Sequence, residues 1–178
     1  PPGGPFAWWS APIALISSPA MIRILVVCMG NICRSPTASA ALQGEVQRRG
    51  QGHRVEVDSA GTYAGHKGEK ADPRAIQVAA AAGYEQIRRE RARRVREQDF
   101  EQFDLILAMD RDNLMNLQHE CPPEHQHKLH LFLDYAGVEV GGEVPDPYYG
   151  NLAGFERVLA LCEAGARGVL DRVTAARP

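Results

Sequence analysis

Cys28 and Arg34 stand six positions apart, with Gly30 and Asn31 between them and Ser35 directly after. Glycine and asparagine both tolerate positive φ, so the chain can wind into a tight loop here. A loop of that kind turns consecutive backbone N–H groups inward and forms an anion cradle at a helix start. The N–H groups and the Arg34 guanidinium favour a thiolate over a thiol at Cys28. The planar fork of Arg34 also fits two oxygens of a phosphoryl group. The predicted chemistry is attack by Cys28 on phosphorus, with Arg34 and the inward N–H groups of the loop as the anion cradle. The plainer alternative is a buried structural cysteine, which leaves Arg34 and Ser35 unexplained. A thiolate that displaces an alkoxide or phenoxide needs a proton donor. Asp146 is the candidate: Pro147 stiffens its loop, and Tyr148 and Tyr149 are expected to shield it from water and favour the neutral acid. Asp-Pro alone is only a turn or cap signal.

These side chains need elements to hold them. Ile22 to Val27 is a short apolar, β-branched run that reads as a buried parallel strand ending at Cys28. Pro36 suits a helix start, and Ala38 to Arg49 reads as the helix, ended by Gly50 and Gly52. Val55 to Asp58 alternates as a second strand, followed by a glycine-rich loop from Ser59 to Gly68 that could line a site. Asp72-Pro73 caps a helix running to Ala82. Six arginines between Arg88 and Arg96 are expected to form a solvated face. Asp99 begins a helical turn, Asp104 to Met109 is a strand, Asp110 caps a helix from Arg111 to His119, and Lys128 to Leu133 is a fourth strand. A long helix from Leu152 to Ala175 closes the chain, with Phe155, Val158, Leu159, Cys162, Val169 and Val173 at helical spacing. Strands alternating with helices predict an α/β fold, a three-layer α/β/α sandwich around a four-stranded parallel sheet. In such a sheet the ligand sits at the carboxyl ends of the strands, where Cys28 falls.

The bulk properties narrow the classes. The chain has 178 residues, enough for one domain with a sizeable core. Its net charge of -2 gives no reason to expect a nucleic-acid partner. Four cysteines, Cys28, Cys33, Cys121 and Cys162, do not make a disulfide framework in a chain this long, and a working thiolate suits a reducing, cytoplasmic setting. Residues 1 to 20 stand apart in composition. Their apolar patch is too short to span a membrane and has no basic leader. The folded domain is expected to run from residue 21 to 178, with residues 1 to 20 a disordered N-terminal extension.

The motifs in order carry a resemblance. Cys28-Met-Gly-Asn-Ile-Cys-Arg-Ser-Pro with Asp146-Pro-Tyr-Tyr-Gly resembles the low-molecular-weight protein tyrosine phosphatases, and Asp58-Ser-Ala-Gly-Thr, Asp72-Pro-Arg and Leu107-Ala-Met-Asp also match their pattern. The resemblance implies that Cys28 forms a phosphocysteine, that the Arg34 side chain and the N–H groups of Met29, Gly30, Asn31, Ile32, Cys33 and Arg34 hold the oxygens and stabilise the transition state, and that Asp146 acts as acid and then base. It implies that Ser35 bonds the departing thiolate, Asn31 keeps the loop in its strained form, and Tyr148 and Tyr149 wall the pocket. Cys33 is implied as the reversible disulfide partner of Cys28. No metal or cofactor is required. The implied partner is a tyrosine-phosphorylated protein, in bacteria often a tyrosine kinase of polysaccharide export, with no membrane contact and a monomer or weak dimer as the acting form. Two positions depart from the pattern. Gly65 replaces a bulky residue opposite the tyrosines, and Glu90 replaces a histidine that bonds the loop asparagine. Rival readings are an arsenate reductase of the same fold, which needs a relay of three cysteines, and a catalytically inactive phosphoprotein-binding module. Zinc held by Cys121 and the histidines near it is a further alternative, but the spacing matches no zinc pattern.

Overall fold

The computed structural model describes residues 20–175. Apart from Ala20, the extension expected over residues 1 to 20 lies outside them. Four strands, β1 (Ile22–Cys28), β2 (Val55–Gly61), β3 (Leu105–Ala108) and β4 (Leu129–Leu131), form one parallel sheet in the order β2–β1–β3–β4. Around them lie α1 (Arg34–Arg48), α2 (Pro73–Ala81), α3 (Glu97–Gln102), α4 (Arg111–Glu120), α5 (Phe132–Tyr135) and α6 (Leu152–Thr174).

β1 is apolar on both sides because both sides are covered. Ile24 and Val26 pack into one cluster with Leu42 of α1 and Val158 and Cys162 of α6. Leu25 and Val27 face the other way, against Phe100 of α3 and Leu117 of α4. Alternate residues of one strand therefore feed two cores, and the three-layer α/β/α architecture follows. The chain leaves β1 for β2 on one side of the sheet, whereas β3 leads to β4 on the other. The crevice between the carboxyl ends of β1 and β3 is the place where such a sheet binds ligands. Among the described residues no helix is long and apolar enough to cross a membrane.

Several boundaries differ from the sequence expectation, each for a local reason. α1 begins at Arg34 rather than Ala38, because the Thr37 N–H and hydroxyl both donate to the Cys33 carbonyl, at 3.3 and 2.7 Å, and wind the loop straight into the helix. β2 runs on to Gly61 instead of ending at Asp58, since Cys28 pairs in register with Gly61. A side chain at 61 would collide with the Met29 carbonyl, so the glycine is a close-approach residue and not a loop signal. β4 stops at Leu131, and Phe132 opens the short α5. Two 3₁₀ turns, Glu85–Arg89 and Pro123–Lys128, carried no clear signal. Of the six arginines, Arg93 departs from the solvated face: it is half-buried and pairs with Asp58 and Asp99.

Candidate active site

The cradle is built where β1 ends. Cys28 is buried, and its sulfur lies 3.0 Å from the Ser35 hydroxyl and 3.3 Å from the Asn31 N–H, which donates to it. Asn31 has φ of 56°, the only positive φ at a non-glycine position among the described residues. The N–H groups of Gly30, Ile32, Cys33 and Arg34 donate to no carbonyl among the described residues. They are free for an anion at the start of α1, as a helix-terminal nest provides.

Three hydrogen bonds hold the strained asparagine. Its amide nitrogen donates to the Ser35 and Ser59 hydroxyls, each at 2.8 Å, and its carbonyl oxygen accepts the Arg93 N–H at 3.0 Å. With Asn31 filling one lone pair of Ser35, the Ser35 proton is left for the Cys28 sulfur or for the Ala60 carbonyl at 3.3 Å, and the sulfur is nearer. Glu90 makes no hydrogen bond with Asn31. One carboxylate oxygen accepts from the Ser59 hydroxyl at 2.9 Å and the other from the Ser39 hydroxyl at 2.7 Å and Gln43 at 3.3 Å. The place of the expected histidine is thus taken by a carboxylate acting at one remove, through Ser59. Burial pushes the Glu90 carboxyl up and outweighs the Ser39, Ser59 and Gln43 donors.

Arg34 is buried, with one arm donating to Asp110 at 2.5 Å and to the Val144 carbonyl at 3.2 Å. Its other arm lies 3.8 Å from Asp146. Burial opposes the charged guanidinium, but the Cys28 sulfur, Asp110 and Asp146 together outweigh it and raise its pKa. Asp110 caps α4 through its other oxygen, which accepts the Asn113 N–H at 2.7 Å. One carboxylate therefore fixes both a helix start and the rim arginine. In the sequence alone, Asp110 shows only as the cap.

Cys28, Met29, Gly30, Ile32, Cys33, Arg34, Asp146, Tyr148 and Tyr149 line a single cleft of about 300 Å³, and Tyr63 and His66 complete it. Asn31 and Ser35 stand behind the wall, in contact with the cradle and not with the cleft. The tyrosines do not shield Asp146 as expected. Its side chain is 47 % exposed, and Tyr149 is almost fully exposed. Asp146 lines the cleft, and its Oδ1 accepts the Tyr148 N–H at 3.1 Å. At Gly65 a Cβ would strike the Tyr63 ring. Tyr63 folds back over the glycine and occupies the space of the missing bulky residue. His66, whose Nδ1 lies 2.7 Å from Glu69, stands over Gly30. Neither Tyr63 nor His66 was singled out as a site residue, because both sit in a glycine-rich loop whose path the sequence does not fix.

The other cysteines are arranged unlike a relay. Cys33 is buried, and burial, then Asp72, Cys28 and Asp146, push its thiol up to about 12. Cys121 lies in the cluster on the opposite side of the sheet from Cys28. Cys162 shares the Cys28 cluster but is wholly buried on α6. Among the described residues no three His, Cys, Asp or Glu side chains converge as a metal-holding group.

Residues 23–178 match the family model described as low molecular weight phosphotyrosine protein phosphatase. A low-molecular-weight protein-tyrosine-phosphatase of Streptomyces coelicolor is 43 % identical over 154 residues, covering 85 % of this chain and 93 % of the relative. A low molecular weight phosphotyrosine protein phosphatase of Schizosaccharomyces pombe is 42 % identical over 135 residues, covering 75 % of this chain and 85 % of the relative. Among solved structures, a protein tyrosine phosphatase of Entamoeba histolytica with Hepes in its active site superposes with a TM-score of 0.82 at 36 % identity, covering 86 % of this chain and 97 % of that one. YfkJ of Bacillus subtilis superposes with a TM-score of 0.81 at 32 % identity, covering 89 % and 98 %. A buried thiol in a strained anion nest and a chain that matches these relatives almost end to end lead to one conclusion: the protein belongs to the low-molecular-weight phosphotyrosine protein phosphatase family and is a protein-tyrosine phosphatase.

Proposed function

We propose that this phosphatase works through a phosphocysteine on Cys28 and that Asp146 is its general acid and base. The observation that carries the reading is the Cys28 sulfur within reach of Ser35 and the Asn31 N–H, at the floor of a nest rimmed by buried Arg34. The phosphoryl group of a phosphotyrosine enters the nest, its oxygens taken by the free N–H groups and the Arg34 fork. The thiolate attacks phosphorus in line as the P–O bond to the ring breaks. The leaving phenoxide takes the proton of Asp146, which the substrate ring has by then covered from water. In the second half Asp146, now a carboxylate, takes a proton from a water that attacks phosphorus. The P–S bond breaks, the thiolate returns to the Ser35 and Asn31 donors, and phosphate leaves.

Met29, Ile32, Tyr63 and Tyr148 give the cleft an aromatic and apolar frame that supports aryl over alkyl phosphates. The substrate in this reading is a tyrosine-phosphorylated protein, acted on in a reducing compartment such as the cytoplasm. Wild type should hydrolyse a phosphotyrosine peptide and leave the matching phosphoserine peptide untouched. Cys28→Ser should lose roughly a thousandfold or more in kcat/KM. Equal turnover by Cys28→Ser would remove the cysteine from the mechanism. The redox role of Cys33 is slower chemistry in this reading. A thiol pushed up to about 12 meets an oxidised Cys28 mainly in its protonated form, and the thiolate is the attacking species. Mass analysis of peroxide-treated protein reads it directly, since a Cys28–Cys33 disulfide lacks two hydrogens and a sulfenic acid carries an extra oxygen.

A further inference from the structure

We propose that Arg74 is a positioning residue for the general acid, a strut that spans from the phosphate cradle to the loop carrying Asp146. The inference rests on the reading of Asp146 as the acid and adds what holds it there.

Arg74 is the second residue of α2, and its side chain turns back onto the cap. Its Nε donates to one oxygen of Asp72 at 3.0 Å and its Nη2 to the other at 2.9 Å, a paired fork. Asp72 is in turn tied to the cradle, because its N–H donates to the Ile32 carbonyl at 2.7 Å. From this anchored end the guanidinium reaches across to the acid loop. Nη2 donates to the Tyr148 carbonyl at 3.0 Å and Nη1 to the Gly150 carbonyl at 3.3 Å. Its central carbon lies 4.5 Å from the ring centroid of Phe155, a buried residue of α6, and 5.8 Å from that of Tyr148.

Upstream of Asp146 the loop is held at Val144, whose N–H donates to the Met109 carbonyl at 2.8 Å and whose carbonyl accepts from Arg34 at 3.2 Å, and Pro147 is buried. The turn that follows is more exposed. Asp146 is half exposed and Tyr148 and Gly150 are exposed, and the turn's own bonds, Tyr148 N–H to Asp146 and Gly150 N–H to the Pro147 carbonyl, are internal to it. Arg74 is the side chain that ties the carbonyls of this turn to α2, and through Asp72 to the same loop that holds Cys28. The separation of nucleophile and acid is then set by two guanidiniums, Arg34 beside Val144 and Asp146 and Arg74 on the turn that follows. An arginine suits this task because its fork can hold a carboxylate and two carbonyls at once, which a lysine ammonium cannot do in one plane.

The test is the dependence of kcat/KM on the leaving group across a series of aryl phosphates, measured on the full chain for wild type, Asp146→Asn, Arg74→Ala and Arg74→Lys. Poor leaving groups need the proton, while good ones leave without it. Asp146→Asn should therefore steepen the dependence. Arg74→Ala should steepen it in the same sense, losing roughly tenfold or more on phenyl phosphate and no more than about twofold on dinitrophenyl phosphate. Arg74→Lys should fail to restore the wild-type slope. A merely structural role would lower every substrate alike, and that result overturns the strut. An unchanged slope in Arg74→Ala beside a steeper one in Asp146→Asn also overturns it, and leaves the acid assignment standing. An unchanged slope in Asp146→Asn overturns both. Should Arg74→Ala not fold, Arg74→Gln carries the same comparison with the chain length of the side chain nearly kept.

Discussion

At the scale of single residues, the cradle depends on an asparagine in a conformation that costs about 1 kcal/mol or more for a residue with a side chain. Asn31 is held at φ 56° because both ends of its amide are bonded, the nitrogen to Ser35 and Ser59 and the oxygen to the Arg93 N–H. Glu90 stands one step further out, accepting the Ser59 hydroxyl so that the Ser59 lone pair remains for Asn31. Its carboxyl is raised above the ordinary glutamate value, by burial first, with Asp58 adding repulsion. An acid whose folded value exceeds its unfolded one binds its proton more tightly in the folded state. Its contribution to stability is complete below the unfolded value and is lost as pH rises through the folded one. Glu90→Gln does not titrate. Its stability relative to wild type should therefore shift in the variant's favour as pH rises above the ordinary glutamate value of about 4. Urea unfolding across a pH series checks it, and a constant difference would show that burial of Glu90 carries no such cost. Much of this residue-scale chemistry was legible beforehand. Cys28, Asn31, Arg34 and Ser35 form one short run, so their meeting needs no tertiary knowledge. Asp110, Arg93 and Glu90 arrive from segments far along the chain, and nothing local says which way an arginine-rich stretch or a helix cap will face.

Among the elements, the strands were legible where both sides of the sheet are covered, as in β1, whose apolar run leaves no polar face to explain. The end of β2 was not. Ser59, Ala60 and Gly61 have loop composition, and they are strand only because β1 pairs with them as far as Cys28. The helices follow a similar division. α6 shows a clear apolar stripe, yet two of its inward positions are Gly165 and Gly168, residues that weaken a helix by about 1 kcal/mol each relative to alanine. Packing explains them. A Cβ at 165 would run into the Phe132 ring and one at 168 into the Ala136 carbonyl, so the glycines let α6 close onto α5. Gly168→Ala should therefore lower stability by about 1–3 kcal/mol despite its better helix propensity. Chemical denaturation measures it. A more stable variant would mean that the α5 contact yields easily and that propensity governs the site.

The whole molecule is a scaffold for one crevice. The parallel sheet brings the ends of β1 and β3 side by side, which delivers Cys28 and Arg34 from one and Asp110 from the other. α2 and the loop before α6 then reach over the top with Arg74, Asp146 and the tyrosines. What happens to a phosphoryl group once it is in the nest decides the mechanism. The most direct measurement is a rapid acid quench of the enzyme turning over a phosphotyrosine peptide, followed by mass spectrometry of the peptide that contains Cys28. A phosphoryl group on Cys28, formed before free phosphate and missing in Cys28→Ser, is the predicted result. Turnover with no phosphoryl group on Cys28 at any time, or steady hydrolysis by Cys28→Ser, would contradict it.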